Sequence, residues 1–122
     1  MIAVIFEVWP AADRKNDYLE IASALRDELA KIDGFISVER FQSLSDPDKL
    51  LSLSFWHDED AVKEWRNHSK HRKSQVQGRT TIFADYRLRI AATVRDYSMN
   101  ERTETPHDSL AIHDQGSQSA RS

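Results

Sequence analysis

Cysteine is absent from this 122-residue chain, and glycine and proline occur three times each. Without thiols there is no disulfide framework, no thiolate nucleophile and no Cys-ligated zinc or iron–sulfur centre. Three scattered glycines form no phosphate-cradling loop, so nucleotide-dependent chemistry is not expected. No nucleophile-elbow sequence supports a serine triad. A long hydrophobic run is missing too. The first nine residues, Met1 to Trp9, carry no basic segment ahead of a short apolar stretch, which fits neither a signal peptide nor a membrane span. Nor is there an excess of one charge: 17 basic against 20 acidic side chains give a net charge of −3. That balance argues against non-specific binding to nucleic acid or to an anionic membrane. What remains, 39% hydrophobic and 30% charged, is expected to be one cytoplasmic domain.

The composition changes after Tyr97. Residues 98–122 offer only Met99, Leu110, Ala111, Ile112 and Ala120 as apolar groups and no aromatic ring. Such a segment buries too little to offset its chain entropy and is expected to be a disordered polar tail, leaving 1–97 as the domain. Within the domain, residues 2–9 alternate as a strand closed by Pro10. Asp13 is placed to cap a helix in which Tyr18, Ile21, Ala22, Leu25, Leu29 and Ile32 recur at helical spacing, and Asp33-Gly34 ends it. Strands over 35–43 and 49–56 flank a turn at Ser45–Asp48. A second helix is expected over about 58–76, closed by Gly78, and a long, bulged last strand from Thr80 to about Tyr97. This order, βαββαβ, predicts an α+β, ferredoxin-like sandwich: a four-stranded antiparallel sheet with two helices on one face and the first and third strands central.

The central strands are apolar on both sides. Ile2, Val4, Phe6 and Val8 alternate with Ala3, Ile5 and Trp9, and Leu51, Leu53 and Phe55 with Leu50 and Trp56. Two helices cover one face, so a second copy packed sheet to sheet is the simplest cover for the other, ahead of the last strand folding back.

The second helix carries the candidate chemistry. At about 100° per residue, Ala61, Trp65, Arg72 and Val76 share a stripe, with Val62 and His68 at its margins and His71 further round. Inward polar groups must find partners or line a wet cavity. Capping and snorkelling account for each residue singly, whereas the group beside Trp65 points to a pocket. Glu64, His68 and His71 have metal-compatible spacing but no second ligand cluster, so no metal is expected. Glu7, the one charge in the first strand, belongs in a cavity or an interface. Arg87, Arg89 and Arg95 read as the solvated face of an edge strand.

The stretch Leu53-Ser-Phe-Trp56, Asp58-Glu59-Asp60-Ala61, Trp65, His71-Arg72, then Ala84-Asp-Tyr-Arg-Leu-Arg89 to Arg95-Asp-Tyr97 resembles the antibiotic biosynthesis monooxygenase family. The resemblance follows residues 1–97 in element order. It implies a dimeric α+β barrel, a homodimer through the sheet face. One branch of that family oxidises phenolic or anthrone-type aromatics without a cofactor, and another binds and degrades haem. The haem branch has an iron-ligating His about ten residues after the helical Trp and an Asn in the first strand. Here those positions hold Gln75 and Phe6 or Glu7, which disfavours haem.

The resemblance thus implies cofactor-independent oxidation of a phenolic or quinol-like aromatic in a pocket between the second helix and the sheet. His71 or His68 serves as base, since imidazole accepts protons near neutral pH, and Arg72 stabilises the resulting anion. Trp65, Phe83 and Tyr86 line the substrate pocket. The alternatives are a haem-binding relative and a non-catalytic dimer that sequesters a small hydrophobic ligand.

Overall fold

The computed structural model of the chain describes residues 1–68, 73 and 82–109. The elements are β1 (Ile2–Pro10), α1 (Lys15–Ala30), β2 (Phe35–Gln42), β3 (Leu50–Trp56), α2 (Glu59–Arg66) and β4 (Phe83–Ala92). Every strand pairing is antiparallel, in the order β2-β3-β1-β4, so the first and third strands are central as the pattern requires. The fold is the expected ferredoxin-like α+β arrangement.

Alternation along β1 decides which side meets the helices. Ile2 and Val4 pack on a core cluster of Leu29, Ile32, Trp56, Ala61 and Val62. Phe6 and Val8 belong to a second cluster with Tyr18, Leu50 and Ile82. The core is therefore in two pieces, one toward each end of the sheet. Trp56 is 1% exposed, and its indole N–H donates to Ser54 Oγ at 2.9 Å, so the ring is buried without an orphaned donor.

The first helix starts differently from expectation. Asp13 does not cap it but sits at φ 62°, and Arg14 is the N-cap residue, with no side-chain cap bond. The Arg14 N–H donates to Ala11 O at 2.9 Å, closing a turn that puts Asp13 in the left-handed region, which Asp tolerates better than most residues. At the other end the helix stops at Ala30 with Lys31 as C-cap, three residues before the expected Asp33-Gly34, and the left-handed residue falls in the turn that follows. Gly34 has φ +90°, and its carbonyl accepts from the His57 N–H at 2.8 Å, tying the α1–β2 turn to the end of β3.

Helix α2 opens on Asp58, whose side chain accepts from the Ala61 N–H at 2.9 Å, with Glu59 and Asp60 in the favourable first turn. It ends at Arg66, so the helix expected to run unbroken to about residue 76 is interrupted, and Lys73, the one described residue between 69 and 81, is again helical. The Asn67 N–H and side-chain amide both donate to Lys63 O, and the His68 N–H donates back to Trp65 O at 3.0 Å, tightening and closing the last turn. Gln75, Val76 and Gly78, with most of the expected continuation, lie outside the described residues.

The last strand runs Phe83–Ala92, shorter than expected, and carries the anticipated irregularity. Trp9 pairs with Asp85 and Pro10 with Phe83, so Ala84 is the extra residue of a bulge. A second unit begins at Thr93. Its described part holds local bonds: the Ser98 N–H donates to Glu101 O at 2.7 Å, and the Arg102 guanidinium lies 5.9 Å from the Tyr97 ring centroid. Residues 110–122 of the expected tail lie outside the described residues. Among the described residues no helix is long and apolar enough to cross a membrane.

Candidate functional site

Sheet register builds the site from β1 and β4. On the helix side Val4 pairs with Ile90, Phe6 with Leu88 and Val8 with Tyr86. Tyr86, Leu88 and Ile90 stay 41%, 49% and 42% exposed, although they face the side on which helices pack. They form an apolar shelf at the β4 edge. Its deep end is aromatic. The Phe6 ring centroid lies 5.8 Å from both Phe83 and Tyr86, and Tyr18 from α1 closes the group at 5.9 Å from Phe83. Edge-to-face contacts of this kind hold rings in fixed orientations.

The site residues expected from sequence do not all meet. Phe83 and Tyr86 lie together in the aromatic group. Trp65 instead packs on the cluster around Trp56, toward the other end of the sheet. It is half-buried there, so one side of the indole contributes to the core. His68 stacks on Trp65 with centroids 5.5 Å apart and planes tilted by 33°. His71 and Arg72 lie outside the described residues.

Sequence reasoning missed three features. Glu28 of α1 places Oε2 3.4 Å from His68 Nε2 and also meets Lys31 Nζ at 3.4 Å. A pairing across 40 positions leaves no local signal. Leu88 and Ile90 alternate with Arg87 and Arg89, and the charged half of that alternation reads as a solvated edge. The third feature is an ion triad on the open face of the sheet, where Glu7 accepts from both Lys49 and Arg89. The Lys49 ammonium also lies 5.1 Å from the Trp9 ring, and the Trp9 indole N–H donates to Asp46 at 3.0 Å. Glu7 is thus directed away from the helices, whereas Phe6 on the helix side lies among rings.

The hydrogen bond from Lys49 holds the Glu7 carboxyl below its usual range, with Arg89 adding to it and partial burial opposing it. A lowered folded-state pKa stabilises the fold fully above the ordinary carboxylate value of about 4.3, and that contribution fades as pH falls through the lowered value. Urea midpoints at pH 7 and pH 3 are therefore expected to differ more for the wild type than for Glu7→Gln. Equal differences would remove the triad from the stability of the fold.

A groove of about 290 Å³ opens elsewhere, lined by Asp33, Gly34, His57, Asp58, Asp60 and Glu64 at the start of α2. Its acidic, apolar-poor lining does not suit an aromatic or aliphatic molecule.

A family model described as antibiotic biosynthesis monooxygenase matches residues 1–77. A protein of Pyricularia oryzae named jasmonate monooxygenase ABM is 46% identical over 107 residues, covering 86% of this chain and 50% of that protein. The chain therefore spans half the length of that relative. An uncharacterized Bacillus subtilis protein, YqjZ, is 31% identical over 103 residues, covering 83% of this chain and 86% of its own length. Among solved structures, a candidate antibiotic biosynthesis monooxygenase from Deinococcus radiodurans superposes with a TM-score of 0.72 at 11% identity, covering 81% of this chain and 98% of that one. A Mycobacterium tuberculosis protein does so with a TM-score of 0.71 at 18% identity, covering 80% and 98%. At those identities the likeness speaks for the fold, whereas the family match and the closer relatives speak for descent: the chain belongs to the antibiotic biosynthesis monooxygenase family.

Proposed function

We propose that this chain is a monooxygenase that oxidises a small, predominantly apolar organic molecule lying on the β4 shelf, with no bound cofactor. The observation that carries the reading is the 46% identity to a protein named for monooxygenation of jasmonate. The shelf supports it physically, since three large apolar side chains at 41–49% exposure beside a fixed aromatic group suit an apolar ligand. For a phenolic or anthrone-type substrate the chemistry balances without an outside reductant. A base removes one proton, the carbanion adds dioxygen to give a hydroperoxide, and loss of a second hydrogen from the same carbon with cleavage of the O–O bond leaves a carbonyl and releases water, so the substrate supplies all four electrons. His68 is the base assigned among the described residues, and its Glu28 contact orients the ring. A jasmonate-like acid is the second reading, favoured by the Pyricularia oryzae relative, and it requires two electrons from an added reductant.

The test is incubation under 18O-labelled dioxygen with a dihydroxyanthrone, and separately with jasmonate plus a reductant. Label in either product above the protein-free control is expected. Its absence from both overturns the reading.

The working unit in this proposal is a homodimer. The open face presents Ile5, Trp9, Leu51, Leu53 and Phe55, all half-buried, with Phe41 41% exposed at the β2 edge. A second copy of the same face would cover this surface in a closed, isologous interface. Sedimentation is expected to give a dimer at micromolar concentration and a monomer for Leu53→Asp, which sets a charge in the middle of the patch. A stable wild-type monomer overturns the assignment.

A further inference from the structure

Between the two core clusters, the helix side of β2 and β3 carries a pair of polar residues. In register across the helix side, Arg40 of β2 pairs with Ser52 of β3, which pairs in turn with Phe6 of β1. Arg40 shares its face with Val38, which packs on the core cluster around Trp56. It is the one charged side chain that the four strands direct toward the helices. It is half-buried, and its Nε is sealed from solvent with no hydrogen-bond partner. No ion pair or hydrogen bond reaches the guanidinium, and none reaches the Ser52 hydroxyl, among the described residues.

A buried donor without an acceptor costs free energy on the order of 1–3 kcal/mol, more when charged, so a fold that keeps one in its helix–sheet layer has a use for it. Directly opposed residues on neighbouring strands bring their Cβ atoms to about 5 Å. Arg40 and Ser52 therefore offer a guanidinium fork and a hydroxyl to one small acceptor. A carboxylate fits both, since the planar fork binds it in two places and the hydroxyl donates to the same group. Next in the row stands Phe6, which belongs to the aromatic group and pairs with Leu88 of the β4 shelf. We infer that Arg40, with Ser52, is the anchor for the carboxylate of an acidic, otherwise apolar substrate whose body extends over Phe6 toward the shelf. The inference rests on the monooxygenase reading for the role of the bound acid, and it selects the carboxylic acid over the neutral phenol as the substrate class.

Binding decides it separately from turnover. Octanoate and 1-octanol share an apolar chain and differ in the charged head, and calorimetric titration of the wild-type protein is expected to favour octanoate. Replacing Arg40 by leucine, which keeps the stem apolar, should weaken octanoate about 10- to 100-fold and leave octanol unchanged. Lysine at the same position should restore part of the preference. If the wild type does not distinguish the two probes, or the Arg40→Leu variant still does, the anchor is wrong whether or not the protein oxidises anything. If the preference holds and moves with Arg40 while labelled oxygen enters neither jasmonate nor the anthrone, the anchor stands and the monooxygenase reading falls. A variant that loses both ligands, with an unchanged urea midpoint, also overturns the anchor, because the head-group contact would then not be what Arg40 supplies.

Discussion

Replacing His68 by alanine is expected to slow oxidation by about 10²- to 10⁴-fold, the usual contribution of a positioned general base. The fold should hardly register the change. His68 follows the end of α2, lies on the face of Trp65 at 5.5 Å and meets Glu28 at 3.4 Å. The ring lies outside the buried cluster around Trp56, so truncation should alter stability by no more than about 1 kcal/mol. A His68→Gln variant separates proton transfer from shape. Glutamine keeps a donor toward Glu28 and a flat amide against the indole, but it cannot take a proton at neutral pH. It should be as slow as the alanine variant with an unchanged urea midpoint. If glutamine restores the rate, the imidazole serves as a hydrogen-bond donor and not as a base. Measuring His71→Ala alongside settles which histidine matters: a wild-type rate in His68→Ala with a slow His71→Ala moves the role to His71.

The sheet was readable from the sequence because its signal is redundant. Ile2, Val4, Phe6 and Val8 state the period, Pro10 ends the strand, and the opposing apolar set marks β1 as central. Gly34 was readable as a left-handed position because one residue type suits that backbone conformation, although the helix itself stops earlier, at Ala30. The length of α2 was not. The break after Arg66 comes from the Asn67 side-chain amide adding a second bond to Lys63 O and the His68 N–H turning back to Trp65 O, a local competition that periodicity does not record. The Asp13 cap failed in the same way, since the Ala11–Arg14 turn claimed that residue's backbone first.

The candidate site was half readable. Rings on β4 were found because aromatic residues in a strand pack against something. Their separation from Trp65 was not, because two residues on one face of a sandwich can belong to different ends of it. Arg40 shows why polar sites resist sequence reading. One arginine in an alternating edge strand looks like any solvated charge. Register across three strands, not its own neighbours, turns it toward the helices.

A Gly34→Ala substitution should destabilise the domain by about 2–4 kcal/mol, and the cause can be divided. A Cβ at this position meets two obstacles. The backbone has φ +90°, which an L side chain rarely adopts, and this alone is worth about 1 kcal/mol or more. The new atom would also lie 2.8 Å from the Ala61 Cβ. Ala61 cannot give way easily, because it is 4% exposed, belongs to the Trp56 cluster and has its N–H held by the Asp58 cap. Overpacking a site of this kind costs a further 1–3 kcal/mol. The two parts separate in a double-mutant cycle with Ala61→Gly, which removes the opposing methyl but leaves the backbone conformation alone. In that background Gly34→Ala should cost only the conformational share, so the two substitutions are coupled by the size of the clash. Urea unfolding of the four proteins measures it. Simple additivity would mean that the turn between α1 and β2 shifts away from α2 when a methyl is added. The approach of Gly34 to Ala61 would then be a consequence of glycine being there, and not the reason the fold needs it.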